Sequence, residues 1–146
     1  MQIDLRPDRR VLFLCSGNAI RSAFCELFAR HLGTSLDVES AATRFRNDRM
    51  FPETRAALRE RGVDAAAIET FRPRHLDELP PLPPDTLVLG MTRDHLAGFE
   101  ACREETAELR LLLELLGTDQ ELPDPYFTGE YEATFRLLDR AIRALP

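Results

Sequence analysis

The chain has 146 residues, 44% of them apolar and 30% charged, and carries a formal net charge of -6. That length suits one domain with a sizeable core, and the composition is that of an ordinary soluble globular chain. The acidic balance speaks against nucleic acid as a partner, because phosphate-backbone binding wants a basic face. No apolar stretch reaches membrane-spanning length, and Met1 is followed by polar and charged residues, so neither a membrane span nor an export signal is expected. The expected location is the cytoplasm. All 19 basic residues are arginine, so a cation that grips a phosphate here has to be a guanidinium. Cys15, Cys25 and Cys102 make no CxxC pair and no zinc-type spacing, and His31, His75 and His95 are scattered. Reduced thiols, no metal and no cofactor are expected.

Residues 1–9 read as a short polar leader to a single domain spanning 1–146. Arg10 to Leu14 is short, apolar and β-compatible, and predicts a buried strand. Ser22 is placed to cap a helix in which Phe24, Leu27, Phe28 and Leu32 share a face and Gly33 is the stop. Leu36 to Ala41 predicts a second strand, followed by a polar loop, Ala42 to Met50. Pro52 suits the first turn of a helix that runs to Arg61 and ends at Gly62. Turn signals and a short helical piece fill the stretch up to the proline-rich Pro80–Pro84. Thr86 to Gly90 is a third strand, and Thr92 or Asp94 caps a helix running toward Glu104. The leucine run Leu109–Leu116 is ambiguous between strand and helix, and its first half is taken as a fourth strand. After Pro123-Asp124-Pro125-Tyr126-Phe127, a last helix opens at Thr128 with Tyr131, Phe135, Leu138, Ile142 and Leu145 on one stripe. Strands alternating with helices predict an α/β fold: a single domain with a four-stranded parallel sheet and helices on both faces. Sites in such folds lie at the carboxyl ends of strands, where Cys15 and Met91 fall.

The stretch Cys15-Ser16-Gly17-Asn18-Ala19-Ile20-Arg21-Ser22 joins the first strand to the first helix. A cysteine followed six residues later by an arginine is weak by itself, since chance supplies it about one time in three in so arginine-rich a chain. The interior residues carry more. Gly17 lets the backbone approach a ligand, Asn18 tolerates a left-handed conformation, and such turns aim successive N–H groups into one anion-binding concavity. The helix start adds its positive end and Arg21 a planar fork for two phosphate oxygens. The same field favours a thiolate, toward which Ser22 can donate a hydrogen bond. Cys15 is then placed to attack phosphorus in line. A buried structural cysteine in an ordinary strand-to-helix turn is the blander reading of the same residues.

At this point the residues resemble a family. "VLFLCSGNAIRSA" is similar to the opening of the low-molecular-weight protein tyrosine phosphatases, whose loop runs C-x-G-N-x-C-R-S-P. Ser40-Ala41-Ala42-Thr43 resembles the family's second-strand segment, Leu87 to Met91 its third strand, and Asp124-Pro125-Tyr126 its D-P-[YF] loop. The resemblance implies a phosphomonoester hydrolase, a protein tyrosine phosphatase by first expectation, working through a cysteinyl-phosphate. It implies Cys15 as nucleophile, Arg21 as phosphate binder and Asp124 as general acid and then base. The loop residues Ser16, Gly17, Asn18, Ala19, Ile20 and Ser22 would bind substrate, with Tyr126 and Phe127 walling the pocket. The expected partner is a phosphorylated protein or small phosphomonoester; the oligomeric state stays open.

Four departures stand out. Ile20 replaces the family's second loop cysteine, which removes the usual disulfide partner. Ala23 replaces a proline. Ala19 sits where tyrosine-specific members often carry Ile and arginine-phosphatase members Thr. Arg44 to Arg49 also lacks the family's usual glycine and reads as a solvated loop. Two other activities fit the same loop: a thioredoxin-coupled arsenate reductase, which would need further cysteines near Met91 and finds only Cys102 eleven residues on, and a non-catalytic phosphate-binding module.

Overall fold

A computed structural model describes residues 2–146. Four strands, β1 (Arg10–Cys15), β2 (Asp37–Ala42), β3 (Leu87–Gly90) and β4 (Glu108–Leu111), form one parallel sheet in the order β2-β1-β3-β4. β1 lies at the centre, with Cys15 opposite Ala42 on β2 and Leu14 opposite Gly90 on β3. Val11 to Leu14 are fully buried, as the continuous apolar run requires of a strand covered on both faces. Alternate β1 residues serve different layers. Val11, Phe13 and Cys15 join the larger core, and Leu12 and Leu14 join the smaller one.

The helices follow from the connections. α1 (Arg21–His31) links β1 to β2, and its Phe24 and Phe28 enter the larger core with α2 (Pro52–Glu60), α3 (Ala65–Thr70) and, after the short α5 (Pro125–Thr128), the terminal α6 (Tyr131–Arg143). α4 (Arg93–Cys102) links β3 to β4 and puts Phe99 into the smaller core on the other face. The chain therefore winds outward from the β1–β3 pair in both directions. Right-handed crossovers then place α1 and α4 on opposite faces and open a crevice at the carboxyl ends of β1 and β3.

One ambiguity of the sequence reading is settled as expected, with a strand in the first half of the leucine run, and two local outcomes differ. The leucine run divides: β4 ends at Leu111, and Leu112–Leu116 form a 3-10 turn closed by Gly117 in a left-handed conformation, with Leu112 and Leu113 buried beneath α6. The final helix is broken at Gly129, φ 76°, which ends α5 before α6 begins. Ser22 is not a cap. It lies inside α1, whose N-cap is Ile20 without a side-chain bond, because its hydroxyl is committed elsewhere. At the amino ends of the strands, Arg9 is buried, donates to Asp85 O at 2.8 Å and to Asp4 O at 2.6 Å, and pairs with Glu108 at 2.8 Å.

Phe24 joins layers that are far apart in sequence. Its ring lies 5.3 Å from Phe28 and 5.2 Å from Phe135 on α6, and the Arg61 guanidinium caps it at 5.2 Å. Phe24→Ala is expected to lower the unfolding free energy by about 3–5 kcal/mol in urea titration. A loss below about 1 kcal/mol would mean that α1 and α6 do not depend on this contact.

Candidate active site

β1 delivers Cys15 to the crevice, and residues 16–20 turn into α1. The carbonyls of this turn bond outward. Cys15 O accepts from Thr43 N at 3.0 Å, and Ser16 O accepts from Arg44 N and Phe45 N at 3.1 and 2.9 Å. Gly17 O accepts from Asn47 Nδ2 at 3.0 Å, and Ala19 O accepts from Phe51 N and Thr54 Oγ1, each at 3.0 Å. No carbonyl of a described residue accepts from the amides of residues 17–20. Those N–H groups are left for an anion, which is the chemistry of a backbone nest. A Cβ on Gly17 would lie 2.6 Å from Asn47 Nδ2, so the glycine permits the wall segment 45–47 to approach.

Asn18 sits at φ 53° and is fully buried. Its Nδ2 donates to Ser22 Oγ and to Ser40 Oγ, both at 2.8 Å, and its Oδ1 accepts from Arg74 N at 2.9 Å. Ser40 in turn donates to Glu26 Oε1 at 2.7 Å. Since Ser22 Oγ accepts from Asn18, its own hydrogen is free for Cys15 Sγ, 2.9 Å away, and Ser22 N approaches the same sulfur at 3.5 Å. Burial pushes the Glu26 carboxyl up, against the opposing pull of Arg30, its ion-pair partner at 2.8 Å.

Arg21 is buried, donates through Nη1 to Leu122 O at 2.7 Å, and holds Nη2 3.5 Å from Asp124 Oδ2. Asp124 caps the one-turn α5, its Oδ1 accepting from Tyr126 N at 3.0 Å, with Pro125 next in the turn. Cys15, Ser16, Gly17, Ala19, Ile20, Arg21, Asp124 and Tyr126 all line one cavity of about 450 Å³. Asn18 and Ser22 stand behind it as its supports.

This arrangement presents a thiol, a concavity of unbonded amides beside a guanidinium, and a carboxylate across the opening. The model of the low molecular weight phosphotyrosine protein phosphatase family matches residues 10–146. The chain belongs to that family. This phosphatase is similar in structure to YfkJ from Bacillus subtilis, at 21% identity and TM-score 0.75, over 94% of this chain and 91% of that one. It resembles a low molecular weight protein tyrosine phosphatase from T. tengcongensis at 27% identity and TM-score 0.74, over 94% and 97% of the two chains. The YwlE arginine phosphatase from Geobacillus stearothermophilus is 24% identical at TM-score 0.71, over 93% and 89%. No curated protein sequence matches it.

Sequence reasoning missed several residues of the phosphatase cavity. Phe45, Arg46, Asn47 and Phe51 line it, although 44–49 read as a solvated loop. Arg46 is held by ion pairs to Asp77 and Glu78, and Asn47 by Gly17 O. His95, third in α4, is buried behind the cavity. Its Nδ1 accepts from Thr92 N at 3.1 Å and its Nε2 lies 3.0 Å from Ser16 Oγ. Burial first, and then the Arg21 charge, lower its pKa to about 3. A histidine three residues after a threonine N-cap is the one sequence signal that marks it. Among the described residues no group of three or more His, Cys, Asp or Glu side chains is placed to hold a metal, and no helix is long and apolar enough to cross a membrane.

The other two cysteines differ sharply. Cys25 is buried in α1, and burial first and then the neighbouring Cys15 push its thiol well above the usual thiol range, while Cys102 is exposed at the end of α4. At pH 8 a disulfide reagent is expected to label Cys102 quickly and leave Cys25 unmodified until denaturant is added. Rapid modification of native Cys25 would contradict its placement. Asn18→Ala leaves Ser22, Ser40 and Arg74 N each short of a partner. It is expected to cost about 2–3 kcal/mol in thermal or urea unfolding and to weaken inorganic phosphate binding by at least tenfold.

Proposed function

We propose that the chain hydrolyses aryl phosphomonoesters, with protein phosphotyrosine as the substrate class, through a phosphocysteine. The observation that carries this reading is the convergence of Cys15, Arg21 and Asp124 on one cavity, with Arg21 Nη2 3.5 Å from Asp124 Oδ2. In the first step the Cys15 thiolate forms the S–P bond as the P–O ester bond breaks. Asp124 gives its proton to the departing oxygen, worth about 10²–10⁴ in rate for such general acids. The amides of 17–20 and the Arg21 fork bind the three equatorial oxygens, on which the transition-state charge is spread. In the second step Asp124 takes a proton from water, the water oxygen attacks phosphorus, and the S–P bond breaks. The thiolate leaves onto the Ser22 hydroxyl and amide, and inorganic phosphate is the product.

The cavity mouth supports an aryl leaving group. Phe45, Tyr126 and Phe127 are exposed at 51%, 60% and 78% and line the opening with Phe51. Tyr126 packs edge-on against Phe51 at 5.8 Å and Phe127 at 5.1 Å, so the mouth offers aromatic faces and edges for a substrate ring to pack on. Arsenate reduction would need a relay of thiols to Cys15. Cys25 points into the core, and Cys102 lies at the far end of the ten-residue α4 from the site, about 14 Å of helix away. Neither geometry favours that chemistry.

The test is hydrolysis of p-nitrophenyl phosphate and of a phosphotyrosine peptide. Cys15→Ser is expected to lower kcat by about 10³-fold or more on both. Asp124→Asn is expected to lower it by about 10²-fold or more on the peptide and less on p-nitrophenyl phosphate, whose leaving group needs little protonation. Wild-type turnover of neither, or full activity in Cys15→Ser, would sink the proposal. A phosphoarginine peptide preferred over phosphotyrosine would move the substrate class while keeping the mechanism.

A further inference from the structure

Beyond the bonds from residues 43–54 to its carbonyls, two side-chain networks hold the phosphate loop, one from each side of the sheet. The Asn18 network comes from α1 and β2. The second set comes from α4 and is not explained by the reaction chemistry. Thr92 N donates to His95 Nδ1, so that nitrogen carries no hydrogen and the proton sits on Nε2. His95 Nε2–H therefore donates to Ser16 Oγ at 3.0 Å, one residue beyond the nucleophile. The ring is neutral throughout the physiological range, being held at about 3 by burial and by Arg21. A neutral donor is suited to a place beside a buried guanidinium, where a second cation would be repelled.

The same helix face touches the wall of the pocket. Gly98 is three residues beyond His95, and a Cβ there would lie 3.1 Å from Thr43 Cβ. Thr43 N donates to Cys15 O, and the next two amides, of Arg44 and Phe45, donate to Ser16 O. Ser16 is thus the junction between the nucleophile, the wall segment and α4. We propose that His95 is a positioning residue of the reaction, which acts through Ser16 to hold the phosphate loop and the 43–47 wall in register with Arg21 and Asp124. This inference rests on the phosphatase reading for its kinetic arm. Its binding arm, the affinity for inorganic phosphate, does not.

Two substitutions separate positioning from helix capping. Asn at 95 can still accept from Thr92 N but is too short to reach Ser16. Gln at 95 can accept through its oxygen and donate to Ser16 through its nitrogen, as a residue at this helix position commonly reaches back to the cap. Inorganic phosphate affinity is read by calorimetry, kcat and KM with p-nitrophenyl phosphate, and folding by thermal unfolding. His95→Asn is expected to weaken phosphate binding and lower kcat by about tenfold each, the scale of one well-placed hydrogen bond, with His95→Gln within about twofold of wild type. Ser16→Ala removes the same bond from its other end and is expected to match His95→Asn, and the double variant to be no worse than the weaker single. Wild-type affinity and kcat in His95→Asn, equal impairment in His95→Gln, or multiplying effects in the double variant would overturn the proposal. Should His95→Asn fail to fold, Ser16→Ala decides: unchanged phosphate affinity and kcat there would overturn it. If the wild type bound phosphate but turned over no aryl phosphate, the activity reading would fall, and the phosphate affinities of the variants would still decide the role of His95.

Discussion

The left-handed turn at Asn18 keeps the concavity open. An asparagine at φ 53° is tolerated where a branched residue would be strained, and this one also spends its whole side-chain amide inside the protein. One nitrogen serves Ser22 and Ser40, and the oxygen takes the amide of Arg74. The side chain therefore ties together α1, β2 and the segment before the 3-10 turn at Leu76–Glu78. Because these groups are buried, each lost bond leaves a desolvated partner with nothing to replace it, and the network holds or fails as a unit. Its last bond is the one from Ser22 to the Cys15 sulfur, so the geometry of the backbone turn and the setting of that sulfur share one support.

Electrostatics follow from that geometry. Arg21 is almost wholly withdrawn from water, yet its direct partners are a carbonyl at 2.7 Å and a carboxylate no nearer than 3.5 Å. A buried cation so loosely compensated is costly by itself and favours an anion in the space before it. The unbonded amides of 17–20 add to the same field. Low local dielectric strengthens every one of these interactions once a ligand excludes water. Two buried neighbours add no charge of their own: His95 next door is neutral, and Cys25 keeps its proton because burial raises its pKa.

The sheet, its parallel sense and the strand-to-helix turn at Cys15 were readable because they depend on contiguous residues. Val11 to Leu14 is a short apolar run bounded by turn residues, which favours a doubly covered strand, and Gly17-Asn18 favours a turn. Where two local signals competed, tertiary contacts decided. The leucines at 109–116 have no periodicity of their own, and the division at Leu111 reflects which of them faces β3 and which faces α6. Ser22 has the composition of a cap, yet the buried sulfur beside it outcompeted the helix amides. The wall residues Phe45 and Asn47 were illegible for a different reason. A polar segment rich in arginine looks solvated until Gly17 is seen to admit it to within bonding distance, and that approach is a property of two loops thirty residues apart.

His95 shows what topology adds. The sheet winds outward in both directions from β1 and β3, so the loop after β1 lies at the point where helices of both layers begin or end. α1 starts from the loop itself and carries Ser22 and Glu26 beneath it. α4 starts from the end of β3 and carries His95 over its other side. A loop anchored from a single layer can tilt about that layer whenever the helix breathes. Held from both, it can move only if the two layers shift together, and the packed cores on either side of β1 resist that. The five residues between Cys15 and Arg21 can therefore stay irregular, with the amides of 17–20 unbonded, and still present a preorganised charge pattern to an anion.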